Sequence, residues 1–181
     1  GEQHGTASRA LELLVLTASR TGEVLGARWD EFDLDAGVWV VPGARMKGGE
    51  PHTVFLPERA ADIVRSLPVL EASPYLFPSP LKPEIALSNM AMLTVLTRMK
   101  MRDRTTVHGL RSTFSTWANE ATQTKPDVIE AVLAHKEADR VRAAYNRATF
   151  DADRKALLAA WARFLSTKAA GANVIQIRAA G

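Results

Sequence analysis

The sequence predicts a mainly α-helical domain with one small antiparallel β-sheet, an α+β fold. Three observations carry that expectation. Apolar residues recur three and four apart in most segments between residues 8 and 165. One stretch in the N-terminal third, residues 38–56, reads as strand, turn and strand. The 181 residues, 46% of them hydrophobic, are enough for a real core and do not suit a disordered chain.

Taken in order, "SRALELLVLTA" at 8–18 reads as a helix capped by Ser8. Leu11, Leu14, Val15 and Ala18 make one face, and Leu13 and Leu16 widen it, which predicts deep burial. Thr21 starts a short helix through Leu25, and Trp29 closes it. "DLDAG" at 33–37 is turn chemistry. "VWVV" at 38–41 and "TVFL" at 53–56 are strand-like, and each ends against proline. Between them "PGARMKGGEPH" reads as the mobile tip of a β-hairpin. Residues 58–67 are a helix, and "SPYLFPSP" at 73–80 is a proline-punctuated connection. Ser88 caps a helix from Asn89 to about Lys100, and 107–120 form another. In "TKPDVIEAVLAH" Thr124 is the expected cap, with Pro126 in the first turn and Asp127 three residues on. Residues 137–147 read as helical. Asp151 caps a last helix whose Leu157, Leu158, Trp161, Phe164 and Leu165 face one way. That face packs on its own domain or on a neighbour's. "VIQI" at 174–177 reads as a strand or a flexible end.

There is no cysteine, which excludes disulfides, thiolate nucleophiles and cysteine-rich zinc sites. No apolar run reaches membrane-spanning length and no signal peptide opens the chain, so no membrane partner and a cytoplasmic location are expected. Gly1 reads as an arbitrary start, with an upstream portion cut away. The formal charge of +3 is weak evidence for a nucleic-acid partner. The placement of the charges says more.

Arg20 lies between two helices, Lys47 on the hairpin tip, and His108 and Arg111 on one helix face at a spacing of three. His135 ends a helix, and Tyr145 follows it ten residues later. Arginine grips two phosphate oxygens at once. Lysine on a loop donates a proton, histidine moves protons near neutral pH, and a deprotonated tyrosine is a nucleophile. Together these are parts for phosphoryl transfer in which guanidinium groups replace a metal ion. Each also has a plain structural alternative. Arg20 can pair with Glu12 or Glu23, Lys47 can be a solvated tip, His135 can satisfy a helix dipole, and Tyr145 can be half-buried packing.

The order of the set, and the wording around it, resembles the catalytic domain of the tyrosine recombinases, the phage-integrase family, in the style of prophage and genomic-island integrases. "ASRTGEVLGARWDEFDLDAGVWVVP", "MKGGEPHTVFLP", "HGLRSTFSTWANE" and "VLAHKEADRVRAAYNRA" resemble four segments of that family, together spanning about residues 8–165. Ala134 departs from the glycine that many relatives carry before the histidine. The resemblance implies that Tyr145 attacks a DNA phosphodiester and forms a 3′-phosphotyrosyl link. Arg20 and Arg111 would hold the non-bridging oxygens and Lys47 would protonate the leaving 5′-oxygen. His108 would assist proton transfer at the tyrosine, His135 would hydrogen-bond the phosphate, and Glu23 would support the first arginine and histidine. Neither metal nor any other cofactor is implied.

The resemblance further implies double-stranded attachment sites as partner, a tetramer on DNA for the full-length protein, and accessory DNA-bending or excisionase proteins at the bacterial nucleoid. The basic run "RMKMRDR" places Arg98, Lys100, Arg102 and Arg104 before the His-Arg helix, where they are expected to track DNA backbone or to form a solvated loop. Residues 1–167 are assigned to the catalytic domain and 168–181 to a C-terminal tail, with the family's core-binding and arm-binding domains absent from the chain. Two alternatives remain at this point: a type IB topoisomerase-like enzyme, which reseals the same strand, and a non-catalytic DNA-binding module of the same fold.

Overall fold

The computed structural model describes residues 5–135 and 149–169. Its centre is helix α1 (Thr6–Thr17), whose Leu11, Leu13, Leu14 and Leu16 are all buried. Burial on so many sides follows from its neighbours. It packs against α3 (Glu58–Ser66), α4 (Asn89–Arg98), α5 (Val107–Ala121) and the last described helix, α7 (Asp151–Ala169). The helix starts two residues before the expected cap. Gly5 occupies the cap position with no side-chain bond, and Ser8 lies inside the first turn. It ends at Ala18, which takes a left-handed φ of 51° and turns the chain into α2 (Thr21–Leu25).

The sheet is antiparallel, in the order β1 (Phe32–Asp33), β2 (Val38–Val41), β3 (His52–Phe55). Phe32 pairs with Trp39, and Val41 pairs with His52. Strand β1 was not expected, because two residues carry no alternation. The turn chemistry at 33–37 belongs to this first hairpin. There the Asp33 carboxylate accepts the amides of Asp35 and Ala36 at 3.1 and 2.8 Å, and Gly37 takes φ 67°.

The loop from β2 to β3 is fastened at its base, where Arg45 donates to the Glu23 carbonyl and to the Glu31 carboxylate. Its first residues form a 3-10 turn, Gly43–Arg45, folded back so closely that a Cβ on Gly43 would lie 2.2 Å from the Gly49 carbonyl oxygen. The proline-rich connection 73–80 is a wall of the core. Leu76 and Phe77 are buried, and the Leu76 amide donates to the Ala27 carbonyl at 2.8 Å.

Three further boundaries differ from expectation. Helix α4 stops at Arg98, two residues early, because Lys100 takes φ 55°. Helix α6 (Pro126–Val132) is preceded by Lys125 as its cap and not by Thr124, although proline does hold the first position. Asp151 is the first residue of α7 and not a residue before it. The helix expected at 137–147 and the segment "VIQI" lie outside the described residues.

Two buried clusters form. One joins α1–α4 and the sheet, and the other joins α5, α6 and α7. Ala18 and Val15 sit at the seam. The Trp161 indole donates to the Val15 carbonyl at 2.8 Å, so α7 packs on its own domain. Among the described residues no helix is long and apolar enough to cross a membrane.

Candidate active site

The seam between the two clusters is where the charged residues meet. Arg20 is the residue before α2, and Glu23 stands in that helix's first turn. The Glu23 carboxylate accepts both the backbone amide of Arg20, at 2.8 Å, and its guanidinium, at 2.7 Å. Glu23 is 4% exposed, so its charge needs this partner. The other end of the guanidinium crosses to α6 and donates to the carbonyls of Leu133 and Ala134 at 3.2 and 3.1 Å. The structural alternative for Arg20 was a salt bridge to Glu12 or Glu23. The second exists, and it orients the side chain toward the site. Glu12 pairs instead with Arg9 and Arg59.

Arg111 comes from the second turn of α5 and is 5% exposed. Its two terminal nitrogens donate to the carbonyls of Ala18 and Leu133. Burial, and then the neighbouring charge of Arg20, push its pKa down to about 10, with Glu23 and Glu130 opposing. It remains a cation at neutral pH. An arginine has five N–H donors, so these bonds leave donors on both guanidinium groups for an anion. Two guanidinium groups therefore converge on one carbonyl, that of Leu133, from separate helices.

The two histidines flank this pair. His108 is exposed in the first turn of α5, behind a cap in which the Thr106 hydroxyl accepts the Gly109 amide at 2.9 Å. His135 is placed by the way α6 ends. The His135 amide donates to the Glu130 carbonyl at 3.0 Å, the Ala134 amide donates to the Ala131 carbonyl at 3.3 Å, and Ala134 takes φ 48°. This is a Schellman ending, with the left-handed residue just before the histidine. It explains why glycine suits position 134 and why alanine there is strained. The His135 Nδ1 meets the Glu130 carboxylate at 2.7 Å, which fixes the ring and leaves Nε2 for another partner. A cleft of about 220 Å³ lies among His108, Arg111, Ser112, Ser115, Leu133 and His135.

The structure thus brings together Arg20, Glu23, His108, Arg111 and His135. Lys47 is exposed on the loop between β2 and β3, without an ion pair among the described residues. Arg98, Lys100, Arg102 and Arg104 are exposed at the end of α4 and in the link to α5, also unpaired among the described residues. Tyr145 lies outside the described residues.

Two residues at the site were not singled out from the sequence. His52, on β3, has its pKa lowered to about 4 by burial and then by the charge of Arg154, with Arg111 adding to the effect and Glu23 opposing it. Arg154, on α7, donates to the Thr53 carbonyl and to that of Thr149, and lies 5.1 Å over the Phe55 ring. Burial lowers its pKa, and Asp151 opposes. Arg154 was legible: it shares a helix face with Leu157, Leu158 and Trp161, where a charge stands out. His52 gave no comparable signal.

A sequence profile described as the phage integrase family matches residues 3–152. The prophage integrase IntA of Escherichia coli (strain K12) is 37% identical over 162 residues, which are 89% of this chain and 39% of that protein. The chain therefore spans about two-fifths of that relative's length. An integrase from mycobacterium phage Brujita matches in structure with TM-score 0.65 at 20% identity, over 87% of this chain and 52% of that one. A lambda integrase solved as a tetramer bound to a Holliday junction matches with TM-score 0.54 at 17% identity, over 77% of this chain and 44% of that one. At such identities the two structures speak to the fold.

Proposed function

The chain belongs to the phage integrase family of tyrosine recombinases, and from that premise we propose that residues 1–167 are the catalytic domain of a site-specific DNA recombinase that integrates or excises a prophage or genomic island. The observation that supports this most is the convergence of Arg20 and Arg111 on the Leu133 carbonyl, beside two histidines. That arrangement presents guanidinium donors and imidazoles to a single anion. The anion in this reading is the scissile phosphate of duplex DNA.

Tyr145 attacks the phosphorus and its proton passes toward His108. The 5′-oxygen leaves with a proton from Lys47, and a 3′-phosphotyrosyl ester remains. One ester replaces another, so no nucleotide triphosphate is consumed. The arginines and His135 hold the equatorial oxygens, where charge concentrates in the transition state. A 5′-hydroxyl of a second strand then attacks the ester and releases Tyr145. Strand exchange between duplexes calls for self-association, a tetramer on DNA in the full-length protein, with accessory bending or excisionase proteins as further partners at the nucleoid. The exposed side chains of Arg98, Lys100, Arg102 and Arg104, just before α5 in the chain, support a DNA-backbone contact.

Random-sequence nicked duplexes, from which the cut 5′-hydroxyl fragment is lost, test this reading. The chain should be trapped as a covalent adduct in excess chelator. Tyr145→Phe should abolish the adduct and leave binding largely intact, while Tyr75→Phe should keep it, since Tyr75 is half-buried beneath Arg28. Adduct formation by Tyr145→Phe, or its loss on chelation with rescue by magnesium, would overturn the proposal. Joining of strands from two different duplexes separates a recombinase from a topoisomerase.

A further inference from the structure

Arg45 stands two residues before Lys47, at the end of the 3-10 turn Gly43–Arg45. Its side chain leaves the loop and grips two places at once. It donates to the Glu23 carbonyl at 3.0 Å and to the Glu31 carboxylate at 2.5 Å. Glu23 is the residue whose carboxylate holds Arg20. Through its carbonyl and its carboxylate, this one residue joins the lysine loop to the arginine pocket.

The second anchor is itself tied to the core. The Glu31 side chain is 6% exposed, and a buried carboxylate needs a cation, which Arg45 supplies. The Glu31 oxygen that meets Arg45 also accepts the Trp39 indole N–H at 2.9 Å and the Arg28 amide at 3.3 Å. Trp39 is fully buried in β2. From Arg45 the chain runs on in tight turns. The Met46 amide donates to the Gly43 carbonyl at 2.9 Å, and the Gly49 amide donates to the Met46 carbonyl at 3.0 Å. Lys47 sits inside the second turn, and two residues of chain span at most about 7 Å.

We propose that Arg45 is a positioning residue for proton transfer: by bridging the Glu23 carbonyl and the Glu31 carboxylate it sets where Lys47 stands relative to the phosphate bound by Arg20 and Arg111. This rests on the recombinase reading, in which Lys47 protonates the leaving oxygen. In that step the bond from the tyrosine oxygen to phosphorus forms, the bond from phosphorus to the 5′-oxygen breaks, and the 5′-oxygen takes its proton from the lysine.

Gly26 supplies a way to disturb Arg45 without replacing it. A Cβ on Gly26 would lie 2.8 Å from the Arg45 Nη1 and 3.2 Å from the Gly22 carbonyl oxygen. The φ of Gly26 is −85°, which alanine adopts without strain. Gly26→Ala therefore displaces the end of a flexible guanidinium arm, the end that holds the Glu23 carbonyl.

The test compares single-turnover adduct formation on a nicked duplex with an ordinary 5′-oxygen at the scissile phosphate and on the same duplex with a 5′-bridging sulfur. A thiolate leaves without protonation, so the sulfur substrate makes the acid dispensable. Lys47→Ala sets how large the rescue by sulfur is. Arg45→Met, similar in length and without a donor, should lose on the order of 10- to 100-fold on the oxygen substrate, the scale expected for a misplaced acid. On the sulfur substrate its rate should lie within about 3-fold of wild type. Arg45→Lys, which keeps a cationic donor, should recover part of the loss. Gly26→Ala should show the same rescue by sulfur, which covers the case in which Arg45→Met does not fold. Equal losses on both substrates would overturn the proposal and make Arg45 a structural support of the arginine pocket. An unchanged rate on the oxygen substrate would overturn it as well. Lack of rescue for Lys47→Ala would remove Lys47 as the acid and the proposal with it. Failure of the wild-type chain to form any adduct would instead overturn the recombinase reading itself.

Discussion

At the scale of single residues, the proposed function gives Arg111 two duties that one substitution separates. Its fork spans the Ala18 and Leu133 carbonyls, and in the proposed reading its remaining donors meet phosphate oxygens. Arg111→Lys retains the charge and loses the fork. Cleavage should fall on the order of 10²-fold or more, by analogy with removal of one oxyanion donor. Duplex affinity should change far less, because other phosphate contacts remain. Single-turnover cleavage and equilibrium binding on one nicked substrate decide this, and equal losses would make Arg111 a binding element only. The variant should also lose roughly 1–3 kcal/mol of stability in urea, since a buried carbonyl goes unpaired. Ala134 offers the opposite case. Its left-handed backbone strains a residue with a Cβ, so Ala134→Gly should raise stability by up to about 1 kcal/mol. A lowered urea midpoint would show that the Schellman ending tolerates alanine without strain.

At the scale of elements, the amphipathic helices and the lysine hairpin were legible because their signals are local. The face of α7 and the buried sides of α1 follow from apolar spacing alone. The cap of α6 was misplaced by one residue, since Thr124 and Lys125 both precede the proline and only the backbone angle chooses between them. Strand β1 was too short for a pattern. The candidate site was legible as residue types and order. The acceptors that orient it were not, because they are backbone carbonyls of Ala18, Leu133 and Ala134, and any sequence supplies carbonyls. What makes these special is the direction in which α1 and α6 end. Strand β3 shows the same limit, for His52 becomes partly buried beside Arg154 and Arg111 only when the surrounding helices pack on it. That packing has a measurable cost in acid. The folded pKa of His52 is about 4, below its ordinary 6.5, so folding favours the neutral ring. Its contribution is complete above pH 6.5 and is lost as pH falls toward 4. The span corresponds to roughly 3 kcal/mol. Urea midpoints measured from pH 7 to pH 4 should drop for wild type, and the drop should be smaller for His52→Gln. Identical curves would mean that the ring titrates alike in both states.

At the scale of the whole molecule, the arginine pocket lies where two separately packed cores join, so the distance between its halves depends on how α5–α7 sit against α1–α4. Little of the protein's charge is spent there. The net formal charge is only +3, yet four cations without an ion pair among the described residues, against the single anion Asp103, occupy the seven positions from Arg98 to Arg104, next to the helix that carries His108 and Arg111. A local surplus of this kind matters more for DNA than the net value does, because each phosphate contact releases counterions near the point of contact. Duplex binding by this chain should therefore be weak in sequence preference and steep in salt. Replacing Arg98, Lys100, Arg102 and Arg104 together by Gln should flatten the slope of log affinity against log salt by up to about 3.6 units, if each cation neutralises one phosphate. The same replacement leaves Arg20, Arg111 and both histidines in place, so single-turnover cleavage at saturating DNA should stay within about 3-fold of wild type, as expected when only uniform binding is removed. Titrations at several salt concentrations, paired with cleavage at saturation, separate the two effects. An unchanged slope would make the basic run a solvated loop. A large loss of cleavage at saturation would place it in the chemistry instead of on the backbone beside it.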